Sequence, residues 1–306
     1  MRKIILLCAS LFAMVLSISL SPAMAQAWVG PNGSDANACT EAAPCATFQG
    51  ALDKGNISQI NCLGSGSYAT VLITASLTID CGAGNVGNIV GSSGSGIVII
   101  TSSAATIVLR HLALNGLSTG TPIQGIVTNS FFSGTLIVED CMIQGYAGAG
   151  INFQPQSGRG LLEVSDSEIF GNQSGIVAQP ASGQIASVTL DHVKLTGNTQ
   201  NGLVLGGAGV VAGTMRNSVA GSNTSDGVLA NAGQVFFTVE ESSIVNNLVD
   251  GIQTNSAGSV VNVGASTIGG NGTGVKATSG SLISFGDNHM SANGSNGNFT
   301  STTALR

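Results

Sequence analysis

Charged side chains are sparse in this sequence. Asp, Glu, Lys and Arg make up 8% of the 306 residues, and aromatic residues 4%, with one Trp and two Tyr. The cations after residue 25 stand singly, at Lys54, Arg110, Arg159, Lys194, Arg216, Lys276 and Arg306. With no basic patch, nothing is placed to neutralise a phosphate backbone or an anionic lipid surface, so neither nucleic acid nor membrane is expected as a partner. The shortage of aromatics argues against a sugar-stacking platform. His and Cys never fall at zinc-ligand spacing. The Gly-rich runs do not join a strand to a helix as phosphate loops do. No catalytic residue, metal ligand or cofactor is assigned on these grounds.

The first 25 residues have a different character. Arg2 and Lys3 precede an apolar run from Ile4 to Leu20, and Ala23-Met24-Ala25 is a small-x-small cleavage site. This is the pattern of a secretory signal, with Gln26 as the expected mature N-terminus. No later stretch is long and apolar enough to span a bilayer. Removing Arg2 and Lys3 leaves seven cations against 15 carboxylates, a net charge of about −8. The expected location is secreted or periplasmic.

What the chain has in abundance is repetition. A Gly-aliphatic pair recurs at Gly125-Ile126, Gly150-Ile151, Gly175-Ile176, Gly202-Leu203, Gly227-Val228, Gly251-Ile252 and Gly274-Val275, a period of about 25 residues. Superposing the copies gives one apolar column at Ile107, Leu136, Leu162, Val188, Gly213, Phe237, Val261 and Ile283. Two residues on, a second column reads Leu109, Val138, Val164, Leu190, Met215, Val239, Val263 and Phe285. A spacing of two puts both columns on one face of a strand. A second short strand carries Leu112 and Leu114, Cys141 and Ile143, Ser167 and Ile169. A third begins at each Gly-aliphatic pair. Three short strands per coil, with no helical spacing, predict an all-β fold: a right-handed parallel β-helix, each strand pairing with its equivalent about 4.8 Å away. Asn172, Asn198, Asn223, Asn247, Asn271 and Asn293 share one turn and predict a ladder of stacked amides. The expected organisation is a signal peptide over 1–25, an N-terminal strand and capping helix over 26–58, the β-helix over 59–294, and a loose polar tail over 295–306.

Six cysteines fit an oxidising compartment. Cys8 leaves with the signal. Four others allow three pairings, of which Cys39–Cys45, around Pro44, and Cys62–Cys81, flanking the first coil, are preferred. Cys141 remains, in an inward column, as a buried inert thiol.

Residues 28–52 carry a resemblance. Val29, Pro31, Gly33, Ser34, Asp35 and Asn37, followed by Pro44, Thr47, Phe48, Gln49 and Ala51, resemble the head of exported bacterial right-handed β-helix repeat proteins of the pectin-lyase-like superfold. The likeness runs on through the repeats to about Asn293. Thr47 is a natural N-cap for a short helix, whose Phe48, Ala51 and Leu52 would plug the open end of the solenoid. The resemblance implies, for a lyase, a calcium-binding carboxylate group with an Arg or Lys base, and for a hydrolase, clustered aspartates beside a His-Gly pair. Neither motif is present.

Two surface rows remain as candidates. The turn between the first two strands reads His111, Asp140, Asp166, His192, Asn217, Glu241, Ala265 and Asp287. At one-coil spacing Asp140 and Asp166 could work as an acid/base pair, with His192 one coil on. Equally, Asp and Asn suit turns because they bond nearby backbone N–H groups. The outward row after the Gly-aliphatic pair, Asn152, Val177, Val204, Leu229, Gln253 and Lys276, is a possible partner-binding strip. The expected function is a non-catalytic exported solenoid that binds a polysaccharide or a surface protein. The alternative is a carbohydrate-active lyase or hydrolase.

Overall fold

A computed structural model describes residues 25–82, 84–91, 94–101, 104–116, 123–128 and 131–303. The expected signal segment and Cys8 lie outside them, apart from Ala25. The chain is a parallel solenoid with three faces. The first face starts with Ala25–Val29, which pairs with Ile57–Cys62, and continues through Leu77–Asp80, Thr106–Arg110 and Thr135–Glu139 to Gln234–Glu240. The second face is a separate sheet of ten strands, from Gly66–Ser67 to His289–Ser291. The third runs from Val71–Ile73 through Ile126–Thr128 and Leu203–Leu205 to Ser295–Gly297. Near the C-terminal end the third face of one coil runs directly into the first face of the next, in Asp250–Gly264 and Thr273–Ser284.

The apolar columns pair rung on rung. Leu136 pairs with Ile107 and Leu162, and Val188 with Gly213, which pairs in turn with Phe237. Apart from the glycine, these side chains are at most 1% exposed. The last rung departs from the expectation. Val261 pairs with Leu282 and Val263 with Ser284, so Leu282 is inside and Ile283 and Phe285 are not. The register slips within these two long strands, and adjacent Leu282 and Ile283 make the alternation ambiguous in sequence. Phe285 instead lies over Gly264, where a Cβ would stand 2.5 Å from its ring.

The amide ladder is present. Asn198 Nδ2 donates to Asn223 Oδ1, Asn223 to Asn247 and Asn247 to Asn271, each at 2.9 Å, and Asn271 donates to Asn293 at 3.0 Å. The same oxygens accept backbone N–H groups from the coil before, as Asn223 Oδ1 does from Asn198 N. The ladder also explains the recurring glycine. A Cβ on Gly202 would come 2.9 Å from Asn223 Nδ2, and one on Gly227 2.7 Å from Asn247 Nδ2. A second buried ladder runs beside it, in which Val193 N, Ser218 N and Ser242 N donate to the hydroxyls of Ser218, Ser242 and Ser266.

The N-terminal end is plugged as the head motif implies. Thr47 caps the helix Phe48–Leu52, its hydroxyl accepting from Gly50 N at 2.8 Å. Asp35 fixes this start by accepting from Ala46 N, Thr47 N and the Thr47 hydroxyl. A Cβ on Gly50 would meet Asp35 Oδ1 at 2.1 Å, and one on the motif's Gly33 would meet Cys45 O at the same distance, so both glycines are close-approach positions. Phe48 is fully buried, its ring 5.0 Å from that of Tyr68. The disulfides are Cys39–Cys45 and Cys62–Cys81, and Cys141 is free and buried. Burial pushes its thiol up to about 12, which leaves it an inert hydrophobe at neutral pH.

The far end corrects an expectation. In place of a loose tail from Ser295, strands Ser295–Gly297 and Ser301–Thr302 pair with Thr273–Ser284, and Phe299 packs against the core. Thr300 stitches this last coil down, its hydroxyl donating to Leu282 O and accepting from Leu282 N. Residues 304–306 lie outside the described residues.

Candidate functional site

The corner between the first and second faces has an unusual backbone. His111, Asp140, Asp166, His192, Asn217, Glu241 and Ala265 all sit at φ between 46° and 55°. Asp, Asn and His enter this left-handed region more readily than most residues, but Glu and Ala do not. The stacked coil therefore imposes the conformation and leaves the side chain free to vary. Asp287 is not in the row. Gly286, at φ 92°, holds the equivalent place, and Asp287 Oδ1 accepts from Ala265 N. The one-residue slip of the last rung accounts for the difference.

The upper part of this corner is a cleft of about 480 Å³. Its walls are His111, Asp140, Asp166 and Glu168, and its floor includes Val86, Ala113 and Met142. Val86 is 47% exposed and Met142 37%. His111 is held from the coil before by Asp80, whose Oδ1 lies 2.8 Å from Nδ1, while Nε2 lies 3.5 Å from Asp140 Oδ2. The His111 and Asp80 side chains are 22% and 27% exposed, against 66% for Asp140. A hydrogen bond to one ring nitrogen fixes which way the other faces. Here Nε2 faces Asp140 at the cleft wall. The neighbouring cations are committed: Arg110 Nε pairs with Glu139 Oε2 at 2.6 Å and Lys194 with Glu168. Asp166 has no side-chain partner among the described residues.

Asp140 and Asp166 thus share the cleft, on successive coils. His192 does not join them. It turns to Asp191, with Nδ1 3.2 Å from Oδ1. A hydrogen bond from Asn217 Nδ2, helped by His192 and Arg216, holds the Asp191 carboxyl below the usual range. Sequence reasoning missed Asp80. It ends the strand Leu77–Asp80, one coil above the first copy that the pattern could align. Glu168 and Met142 were hidden for another reason: they are the outward positions of strands read only for their inward ones. Among the described residues no group of three or more His, Cys, Asp or Glu is arranged to hold a metal ion.

The outward row on the third face is in register, from Asn152 through Val177, Val204, Leu229 and Gln253 to Lys276. Val204 is only 7% exposed, and Lys276 turns back to the buried Asp250, with Nζ 3.2 Å from Oδ2. The row is therefore less open than its sequence suggested.

Residues 51–214 match the family model described as "right handed beta helix region". No curated protein matches the sequence. Among solved structures, pectate lyase Pel9A is similar over 92% of this chain and 78% of that one, at 16% identity and a TM-score of 0.68. The enzymatically active domain of tailspike protein 2 from bacteriophage CBA120 is similar over 84% of this chain and 43% of that one, at 14% identity and a TM-score of 0.61.

Proposed function

The chain belongs to the right-handed β-helix family, and from that premise we propose that it is an exported, non-catalytic solenoid holding a glycan in the cleft walled by His111, Asp140, Asp166 and Glu168. The observation that carries this reading is the corner itself. Side chains are presented in register at a fixed backbone angle, and three of them, His111, Asp140 and Asp166, stand at an open cleft, while the asparagine and serine columns are buried in ladders. Carboxylates and imidazole in register can accept hydrogen bonds from successive hydroxyl groups. The choice of a glycan over a protein rests on fold-level analogy with the pectate lyase. Binding is preferred to catalysis because the two cations nearest the cleft, Arg110 and Lys194, are paired with carboxylates, so the Arg or Lys base that the resemblance implies for a lyase is not offered there. Export is supported by the two disulfides, which persist in oxidising compartments. The purified mature chain is to be screened against neutral, acidic and amino polysaccharides, with and without calcium, for retention and for products. Retention without new reducing ends or unsaturated products is expected. Failure to retain any polysaccharide overturns the binding reading, and cleavage overturns the non-catalytic one.

One observation favours the second reading, a glycoside hydrolase. Asp80 orients His111 toward Asp140, and Asp166 follows one coil on. An oriented imidazole beside two carboxyl groups is an acid/base set. If cleavage is found, Asp140→Asn combined with Asp166→Asn should abolish it; unchanged cleavage would make the row architecture only.

A further inference from the structure

The charge of the cleft selects among glycans. Resting on the binding reading above, we infer that its occupant is a glycan bearing free amines, an amino-sugar polymer rather than a polyuronate. The wall presents Asp140, Asp166 and Glu168, with Asp80 behind His111. The cations that could offset them are already engaged, Arg110 by Glu139 and Lys194 by Glu168. Asp166 is exposed and unpartnered among the described residues, and Asp140 touches only the His111 ring. The surplus at the cleft is therefore negative. A uronate would meet Asp140 and Asp166 and would have to compete with Glu139 and Glu168 for the nearby cations, whereas an ammonium on a sugar ring would find acceptors on consecutive coils. The floor of Val86, Ala113 and Met142 carries no charge and suits the apolar face of a pyranose.

A basic peptide has the same charge but fits the site less well. An extended peptide gains affinity by adding a strand to free backbone groups. Here His111 N, Asp140 N and Asp166 N already donate to Glu139 O, Ser165 O and Asp191 O of the next coil. Recognition must run through side chains, which suits hydroxyl and ammonium groups.

The test is titration calorimetry of the mature chain at low salt, at a pH where sugar amines are protonated. The probes are hexaglucosamine, hexa-N-acetylglucosamine, oligogalacturonate and hexalysine. Hexaglucosamine should bind about tenfold tighter than its acetylated counterpart, with the margin shrinking as salt rises. Asp166→Asn should weaken it about three- to fivefold, while Glu41→Gln, which does not line the cleft, should change nothing. Equal binding of the two hexamers, or hexalysine matching hexaglucosamine, overturns the amino-sugar assignment. Binding of oligogalacturonate or of an uncharged polymer in its place also overturns it, yet leaves the glycan reading intact. Only failure across the whole polysaccharide panel sinks both.

Discussion

Two polar columns run along this solenoid, and they differ in what they allow. The asparagine column repeats a single residue from Asn172 to Asn293, and its members from Asn172 to Asn271 are at most 2% exposed. Each amide there fills a space left by a glycine, and those from Asn198 to Asn271 donate to the next rung. The corner column repeats a backbone angle instead, and its residues run through His, Asp, Asn, Glu and Ala. A position that keeps one residue through six successive coils and bonds each to the next is holding the stack together. A position where the backbone is fixed and the side chain varies can carry chemistry without weakening the fold.

The comparison can be broken most forcefully in the asparagine column. Asn223→Ala removes the acceptor for Asn198 N and Nδ2 and leaves buried donors unmet. A loss of about 3 kcal/mol is expected from urea unfolding, given a cost of roughly 1–3 kcal/mol per unsatisfied buried group. A loss below about 0.5 kcal/mol would make the ladder ornamental.

A sharper contrast comes from the buried carboxylates on a third column. Asp226 is 3% exposed, and burial, with Asp250 as a neighbour, raises its carboxyl above the ordinary value of 3.8. A raised folded-state value means that the folded protein holds the proton longer than the unfolded chain. The associated stability is present below the ordinary value and is lost as pH rises through the raised one. Asp226→Asn keeps an acceptor for Asp250 N and has nothing to ionise. Its melting temperature should exceed the parent's at neutral pH, with the difference closing as pH falls below the carboxylate range. A difference that stays constant with pH would discard this account.

The smallest effect belongs to the corner. His111→Gln forfeits a partly exposed contact with Asp80, so a stability change within about 1 kcal/mol is expected by the same unfolding measurement. A larger loss would move this column into the architectural class with the asparagines.

Much of the fold was legible because its signals are short-range and repeated. Alternating aliphatics set the strands, and Asn198 to Asn293 marked one turn without ambiguity. The reading failed where a coil lost the pattern: at Leu282 and Ile283 two neighbours were both apolar, and only the pairing with Val261 decides between them. The site was half legible. Asp140 and Asp166 could be placed together because one repeat separates them. Asp80 could not, because the chain between it and His111 does not repeat the later coils. His192 fitted the column but not the cleft, since a side chain's direction depends on Asp191, a contact that periodicity does not encode. The final strands, Ser295–Gly297 and Ser301–Thr302, were missed because they carry no aliphatic residue to mark an inward position.

The bonds between asparagine side chains all point the same way along the axis. Asn198 offers its N–H groups to Asn223, Asn223 to Asn247 and Asn247 to Asn271, the earlier coil always donating and the later always accepting. A chain threaded out N-terminus first would close its helical plug before any ladder forms. It would then hold open donors at its growing end, ready for each arriving carbonyl. The solenoid would thus build in the order in which it is delivered, every finished turn serving as the mould for the next.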